Sequence, residues 1–186
     1  MAKKEIPMHY VGTLEEAEKM IARQKKFWVS NCGCRENRGN KCLRSRTDVC
    51  LYFTDTFGSS GSGFRKSSKR EAKKILIEAR EKFLVARPFR DTKNKKVTDG
   101  ICFCCDDCCD YFLDATLKCD KGKFIEETDR TKCTACGTCV DVCYFNARNV
   151  DRGDLKITSS RCYGCGLCAS ICPEECVEMV LRSKKL

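Results

Sequence analysis

Two cysteine runs near the C-terminus decide how this chain folds. Residues 133–143 read CTACGTCVDVC, and residues 162–172, which lie 29 positions further on, read CYGCGLCASIC and are followed by Pro173. Both runs have the spacing Cys-x2-Cys-x2-Cys-x3-Cys, and they align without a gap. A repeat of this kind indicates that one metal-binding unit of chain is used twice.

This spacing is the one that two iron–sulfur cubes require. Three cysteines in a tight loop reach three irons of one cube, Gly137 and Gly166 let the backbone turn its N–H groups toward the sulfurs, and the fourth cysteine reaches the other cube. Structural zinc sites use two separated cysteine pairs instead. We therefore predict two [4Fe–4S] clusters, the first held by Cys133, Cys136, Cys139 and Cys172 and the second by Cys162, Cys165, Cys168 and Cys143.

Cysteine accounts for 19 of the 186 residues, a frequency typical of exported disulfide scaffolds or of metal carriers in a reducing compartment. The odd count argues against a fully paired scaffold. The N-terminal residues are charged and polar, unlike a signal peptide, and no stretch approaches the ~20 apolar residues of a membrane span. These features predict a cytoplasmic metalloprotein with no membrane span.

The charge balance is basic, with 36 Lys and Arg against 26 Asp and Glu and a formal net charge of +10. Each cube with its four thiolates carries about −2, so the loaded protein is only mildly basic. Such a surface suits an acidic redox partner. No nucleic-acid-binding module is recognisable, so nucleic acid is not an expected partner.

Ten further cysteines lie upstream of the repeat, namely Cys119 and nine others that form two blocks. The first block is too open for one loop around a cube, and the second is too crowded, because adjacent cysteines point in different directions. We expect the blocks to share sites for a third [4Fe–4S] cluster, a zinc ion or both, with the grouping left open. The nine cysteines of the two blocks are Cys32, Cys34, Cys42, Cys50, Cys102, Cys104, Cys105, Cys108 and Cys109.

No residue is predicted to be catalytic. The single histidine, His9, is interpreted as a bystander, neither a base nor a ligand. Asp106 and Asp107 are interpreted as solvated or capping carboxylates on the cysteine-rich turn. The chain by itself is therefore not expected to be an enzyme.

Local signals predict several elements. A capping box at Thr13 and Glu16 begins a first helix, and Ser68 caps a second one, which we expect to end at Arg87-Pro88. Short strands are predicted at residues 27–29 and 49–53. Within the repeat we predict a hairpin turn at residues 151–154 and pairing of residues 124–125 with residues 177–181.

The pattern as a whole resembles two known groups of proteins. Over residues 119–182 it is that of the dicluster ferredoxins. With the upstream motifs, residues 32–35 (CGCR) and 101–105 (ICFCC), it resembles a family of anaerobic iron–sulfur electron-transfer proteins. Some members are similar to the small iron–sulfur subunit of tungsten-dependent benzoyl-coenzyme A reductase. Members of this family often carry one more cysteine in the region of Asp106 and Asp107, which leaves the ligands of the third site open.

The resemblance implies an α+β chain. Residues 1–118 would form a small helical, cysteine-rich, metal-binding extension that docks a partner, and residues 119–186 a bacterial dicluster ferredoxin-like domain. It further implies an electron-transfer subunit of a larger anaerobic oxidoreductase. Its partners would be a catalytic subunit containing tungsten or molybdenum, and an electron donor or acceptor protein. The alternatives are a free ferredoxin-like carrier and, as a more distant one, a redox-sensing nucleic-acid-binding protein.

Overall fold

The computed structural model describes residues 5–39, 41–55 and 60–182. The chain divides into two compact units, Met1–Asp120 and Lys121–Leu186. Helix and sheet are mixed, which is compatible with the predicted α+β class. Among the described residues, no helix has the length and apolarity that crossing a bilayer requires.

The first unit is centred on an antiparallel sheet of five strands in the order β3-β1-β2-β5-β4. Leu51 of β2 faces Val29 of β1 and Ile101 of β5, and all three side chains are fully buried. The sheet therefore supplies the centre of the core. The strands are β1 (Phe27–Ser30), β2 (Cys50–Tyr52), β3 (Arg65–Ser67), β4 (Val85–Arg90) and β5 (Thr98–Cys104).

Two longer helices, α1 (Leu14–Arg23) and α3 (Lys69–Glu81), pack against each other beside the sheet. The predicted capping box at Thr13 and Glu16 is confirmed, and so is the cap at Ser68, whose hydroxyl accepts from the Glu71 N–H at 3.1 Å. Two short helices each follow a cysteine: α2 (Gly33–Asn37) follows Cys32, and α4 (Asp110–Leu113) follows Cys109.

The predicted end of the second helix at Arg87-Pro88 is wrong, because α3 ends at Glu81 and these two residues lie within β4. β4 is the edge strand of the sheet, and there Pro88 is tolerated because its missing N–H removes no bond to β5. The carbonyl of Pro88 accepts from the Tyr10 N–H at 3.1 Å.

The predicted helical character of the N-terminal part also needs correction. Its centre is the five-stranded sheet, and several of its strands gave no periodic signal. β3 is three residues long and polar. β5 has buried Asp99 and Gly100 at consecutive positions, so its sequence lacks the apolar–polar alternation that predicts a strand.

The second unit consists of two antiparallel strand pairs and two short helices. β6 (Phe124–Thr128) pairs antiparallel with β9 (Val177–Leu181), as predicted. β7 (Arg148–Asp151) pairs with β8 (Asp154–Ile157) through the predicted turn, in which Arg152 and Gly153 have φ of 51° and 77°. The helices are α5 (Thr138–Asp141) and α6 (Leu167–Ile171), and a 3-10 turn covers Ser159–Arg161.

Candidate metal centres

The repeat forms one cavity from cysteines of both halves. Its wall includes Cys133, Cys136, Cys139 and Cys172, the four residues predicted for the first cluster. A fifth cysteine, Cys176, also lines it and lies with its Sγ 3.4 Å from that of Cys172. The structure thus brings the predicted quartet together, with one thiol more than the spacing motif contains.

A second cavity is formed in the same way. Its wall includes the quartet predicted for the second cluster, Cys143, Cys162, Cys165 and Cys168. In each half a left-handed glycine precedes the short helix that carries the third cysteine: Gly137 has φ 83° and Gly166 has φ 82°. This conformation, which glycine adopts without strain, turns the loop back toward the cavity.

Arg148 lies in the wall of both cavities and is 4% exposed. Its guanidinium donates to Cys139 Sγ at 3.1 Å and to Thr128 Oγ1 at 2.7 Å, and it forms a buried ion pair with Glu126. Burial alone would lower the pKa of Arg148, but Cys168 and Cys139 raise it above its ordinary value. The cation therefore faces one cysteine quartet on each side.

The donor sets fit the two clusters. Each cavity is lined by the four predicted cysteines, the first also by Cys176, and a buried cation lies in both walls, where it would offset the charge of about −2 per loaded cube. The Nε atom of Arg148 has no hydrogen-bond partner among the described residues. A buried donor of this kind is costly unless it is satisfied, and sulfur in an adjacent cavity is an acceptor that would satisfy it.

The two quartets differ in their surroundings. In the first cavity, Cys136 is exposed, and a hydrogen bond from Thr138 lowers the pKa of its thiol. In the second, burial raises the pKa of Cys165 and Cys168 to about 12. Metal binding at the second quartet therefore requires the displacement of more firmly held protons.

In the first unit the structure divides the nine cysteines of the two blocks into six and three. The group of six forms a chain of contacts between their side chains: Cys32 contacts Cys34 and Cys50, Cys50 contacts Cys102, Cys34 contacts Cys109, and Cys109 contacts Cys104. Contacts with Cys34 and Cys50 lower the pKa of Cys32 to about 2. Both sequence blocks contribute to this group.

Two further side chains border the group of six. Arg87, which is buried, donates to Cys109 Sγ at 3.2 Å and lies over the ring of Tyr111. His9 Nε2 lies 3.7 Å from Cys102 Sγ, and contacts with Cys50 and then His9 lower the pKa of Cys102 to about 5, although burial raises it. His9, which we interpret from the sequence as neither a base nor a ligand, thus lies in contact with a candidate ligand.

The remaining three cysteines, Cys42, Cys105 and Cys108, lie together with Asp107. The Sγ atoms of Cys42 and Cys105 are 3.6 Å apart, and those of Cys105 and Cys108 are 3.2 Å apart. Asp107 Oδ1 lies 3.7 Å from Cys42 Sγ. As predicted for a solvated or capping carboxylate, Asp107 is exposed and its Oδ2 accepts the Leu43 N–H at 2.9 Å. Its Oδ1 in addition faces the thiols.

Sequence reasoning missed the three buried arginines, Arg35, Arg87 and Arg148, that border the cysteine groups. Arg35 follows Cys34 directly, so its position beside the motif was a usable signal. Arg87 lies 17 and 22 positions before Cys104 and Cys109, which it contacts, and Arg148 lies 9 positions after Cys139. Arg87 lies in β4 and Arg148 in β7, and only the folded strands bring these side chains into contact with the cysteines.

Comparison with known proteins supports the interpretation of the second unit. Residues 132–176 match the model of the 4Fe-4S dicluster domain. No curated protein and no solved structure is significantly similar to the chain. The match and the many cysteines support a ferredoxin-like iron–sulfur protein whose C-terminal segment is a dicluster domain that serves iron–sulfur electron transfer.

Proposed function

We propose that this protein is the small electron-transfer subunit of a larger anaerobic oxidoreductase and has no catalytic site of its own. The observation that carries the proposal is the pair of four-cysteine cavities in a segment that matches a dicluster domain, with the buried cation Arg148 in both walls. When bound, the [4Fe–4S] clusters would supply one-electron redox chemistry.

The residues of the chain have three tasks in this function. The two quartets bind the irons, with Cys133, Cys136, Cys139 and Cys172 in one set and Cys143, Cys162, Cys165 and Cys168 in the other. Arg148 offsets negative charge at both cavities, and its ion pair with Glu126 holds the guanidinium in place. No thiol of the second quartet is exposed, whereas Cys136 of the first is exposed.

A third [4Fe–4S] cluster in the first unit belongs to the proposal. Four of the six contacting cysteines, Cys32, Cys34, Cys50, Cys102, Cys104 and Cys109, would hold it, and Arg87 would offset its charge. Support comes from the burial of most of these thiols and from a cation in contact with two of them. Free thiols gathered in this number have no other evident use in a reducing compartment.

The role as a subunit rests on the size of the first unit. A carrier that diffuses between partners needs only the dicluster segment, whereas a docking subunit needs additional surface. We propose a cytoplasmic complex with a large catalytic subunit containing tungsten or molybdenum, such as an aromatic acyl-coenzyme A reductase. An electron donor or acceptor protein would be the second partner, and nucleic acid would not be one.

Anaerobic purification of the native protein with its partners tests this proposal. Tungsten or molybdenum at a fixed ratio to about 12 irons per small chain is the expected result. About 8 irons with no second metal-containing chain would instead identify a free dicluster carrier. Salt-sensitive binding to arbitrary DNA would favour the nucleic-acid alternative, and we expect none.

A further inference from the structure

We propose that Cys42, Cys105, Cys108 and Asp107 form a mononuclear zinc site, separate from every iron–sulfur site of the chain. Their four ligand atoms all lie within 4.8 Å of one another. Within the described part of the chain, this is the one group of three or more possible metal ligands that is so compact. The two quartets of the dicluster segment, which suit cubes, do not meet this criterion.

The spacing of the ligand atoms distinguishes one ion from a cube. Four sulfurs around a tetrahedral zinc at about 2.3 Å lie roughly 3.8 Å apart. The distances of 3.6 Å between Cys42 and Cys105 and 3.2 Å between Cys105 and Cys108 are close to that value. A cube places each thiolate on a different iron, so its four ligand atoms do not all lie close to one another. The group of six, whose contacts form a chain, is not compact in this sense, whereas all four atoms of the present group lie within 4.8 Å of one another.

Asp107 has the orientation of a ligand. Its Oδ1 faces Cys42 Sγ at 3.7 Å, while its Oδ2 accepts the Leu43 N–H at 2.9 Å. A metal-binding carboxylate is commonly oriented by a hydrogen bond of this kind to its other oxygen. Asp106, the adjacent residue, points elsewhere and forms an ion pair with Arg44 at 3.0 Å. The two aspartates therefore have different roles.

Arg35 compensates the charge of the site. Three thiolates, one carboxylate and Zn²⁺ leave a net charge of about −2, which is unfavourable beside a protein core without a counter-ion. Arg35 is 1% exposed, and its guanidinium donates to Cys105 Sγ at 3.5 Å, to the Phe103 carbonyl at 3.2 Å and to the Arg46 carbonyl at 2.6 Å. It thereby joins the site to the end of β5.

The role of the ion would be structural. Residues 41–49 contain no helix or strand, and Cys42 anchors the beginning of this segment to the turn that carries Cys105, Asp107 and Cys108. Zinc has no redox chemistry, which suits a fixed anchor beside electron-transfer groups. The inference does not depend on the proposed function, because it concerns only the fold of the first unit.

The test uses the full-length protein isolated anaerobically with its clusters. We expect about one zinc per chain in addition to iron, and a zinc X-ray absorption spectrum with three sulfurs at about 2.3 Å and one oxygen at about 2.0–2.2 Å. Asp107→Cys should retain zinc and change this shell to four sulfurs. Asp107→Asn should weaken zinc binding at least tenfold in competition with a chelator, whereas the matched control Asp106→Asn should not.

Several results would overturn the inference. The first is that metal analysis finds iron in place of zinc at the site. The second is that the X-ray absorption spectrum of Asp107→Cys still shows an oxygen ligand on zinc. The third is that Asp106→Asn and Asp107→Asn lose zinc equally to the chelator. The cluster signals in electron paramagnetic resonance should be the same in all three variants and the native chain. Absence of cluster signals from the native chain, with zinc retained, would contradict the proposed function and leave the zinc site standing. Loss of cluster signals in the Asp107 variants alone would contradict the separation of the zinc site from the clusters.

Discussion

The two cavities of the dicluster segment arise from the same spacing but have different walls. Where the second cavity is lined by Tyr163 and Phe145, stacked with ring centroids 4.5 Å apart, the first has Thr134 and Glu174 at the corresponding positions of the repeat. The first cavity is therefore closed by small or charged side chains, and the second by an aromatic pair. The spacing of the cysteines determines which thiols share a cavity. Other residues of the repeat determine how far those thiols are exposed to solvent.

This difference has a redox consequence. A reduced cube carries one more negative charge, and that charge is less stable in a drier environment. We expect the second cluster to have the lower reduction potential, since its walls are aromatic and its thiols Cys165 and Cys168 have raised pKa values. Arg148, which lines both cavities, should raise both potentials.

The largest expected effect is the loss of one cluster without the other. Cys139→Ala removes a ligand of the first cavity, and iron bound by the dicluster segment should fall from about eight to about four per chain. The matched control is Cys176→Ala, which removes a thiol from the same wall but outside the motif. Iron analysis should show no loss in the control; equal loss would make Cys176 a ligand.

A second test uses the pKa values of the cluster-free thiols. Alkylation requires the thiolate, so it proceeds at a lower pH where the pKa is lowered and at a higher pH where it is raised. In refolded cluster-free protein at pH 8, Cys136 should be alkylated at least tenfold faster than Cys165 or Cys168, whose pKa is about 12. Mass spectrometry of the labelled peptides measures this ratio. Similar rates would contradict the difference in thiol pKa between Cys136 and the two cysteines of the second quartet.

Replacing the shared cation should act on both clusters together. Arg148→Met removes a charge that lies 3.1 Å from Cys139 Sγ, and both potentials should fall by roughly 50–150 mV. Arg148→Lys keeps the charge and should produce a smaller shift. Because Glu126 would be left buried and unpaired, the double variant Arg148→Met with Glu126→Gln serves as the folding control. A shift at only one cluster would contradict the sharing of this cation.

The smallest expected effect comes from exchanging the walls. Tyr163→Thr introduces the side chain of the first half at the corresponding position of the second, and the second cluster should lose iron in air a few times faster. The reciprocal variant Thr134→Tyr should protect the first cluster by a similar factor. Following the decay of cluster absorbance in both variants measures the effect, and unchanged rates would show that the aromatic pair does not limit access.

The elements that depend on neighbouring residues were predictable. The cap at Thr13 and the hairpin turn at residues 151–154 follow from local patterns, and the structure has them. The pairing of β6 with β9 is also as predicted, but these strands are far apart in sequence, so no local pattern encodes it. The sheet of the first unit was largely missed. Its strands are short, and Pro88 within β4 is compatible with a strand only because β4 lies at the edge.

The sequence by itself determined the two four-cysteine sets of the repeat, since two intervening residues and a left-handed glycine suffice to wrap a loop around a cluster. Only the tertiary structure decided how the upstream cysteines divide, because Cys42 meets Cys105 across 63 positions of chain. It also decided where Arg35, Arg87 and Arg148 lie. Burying a cation is favourable only where packing brings acceptors and negative charge around it, and no local pattern encodes that arrangement.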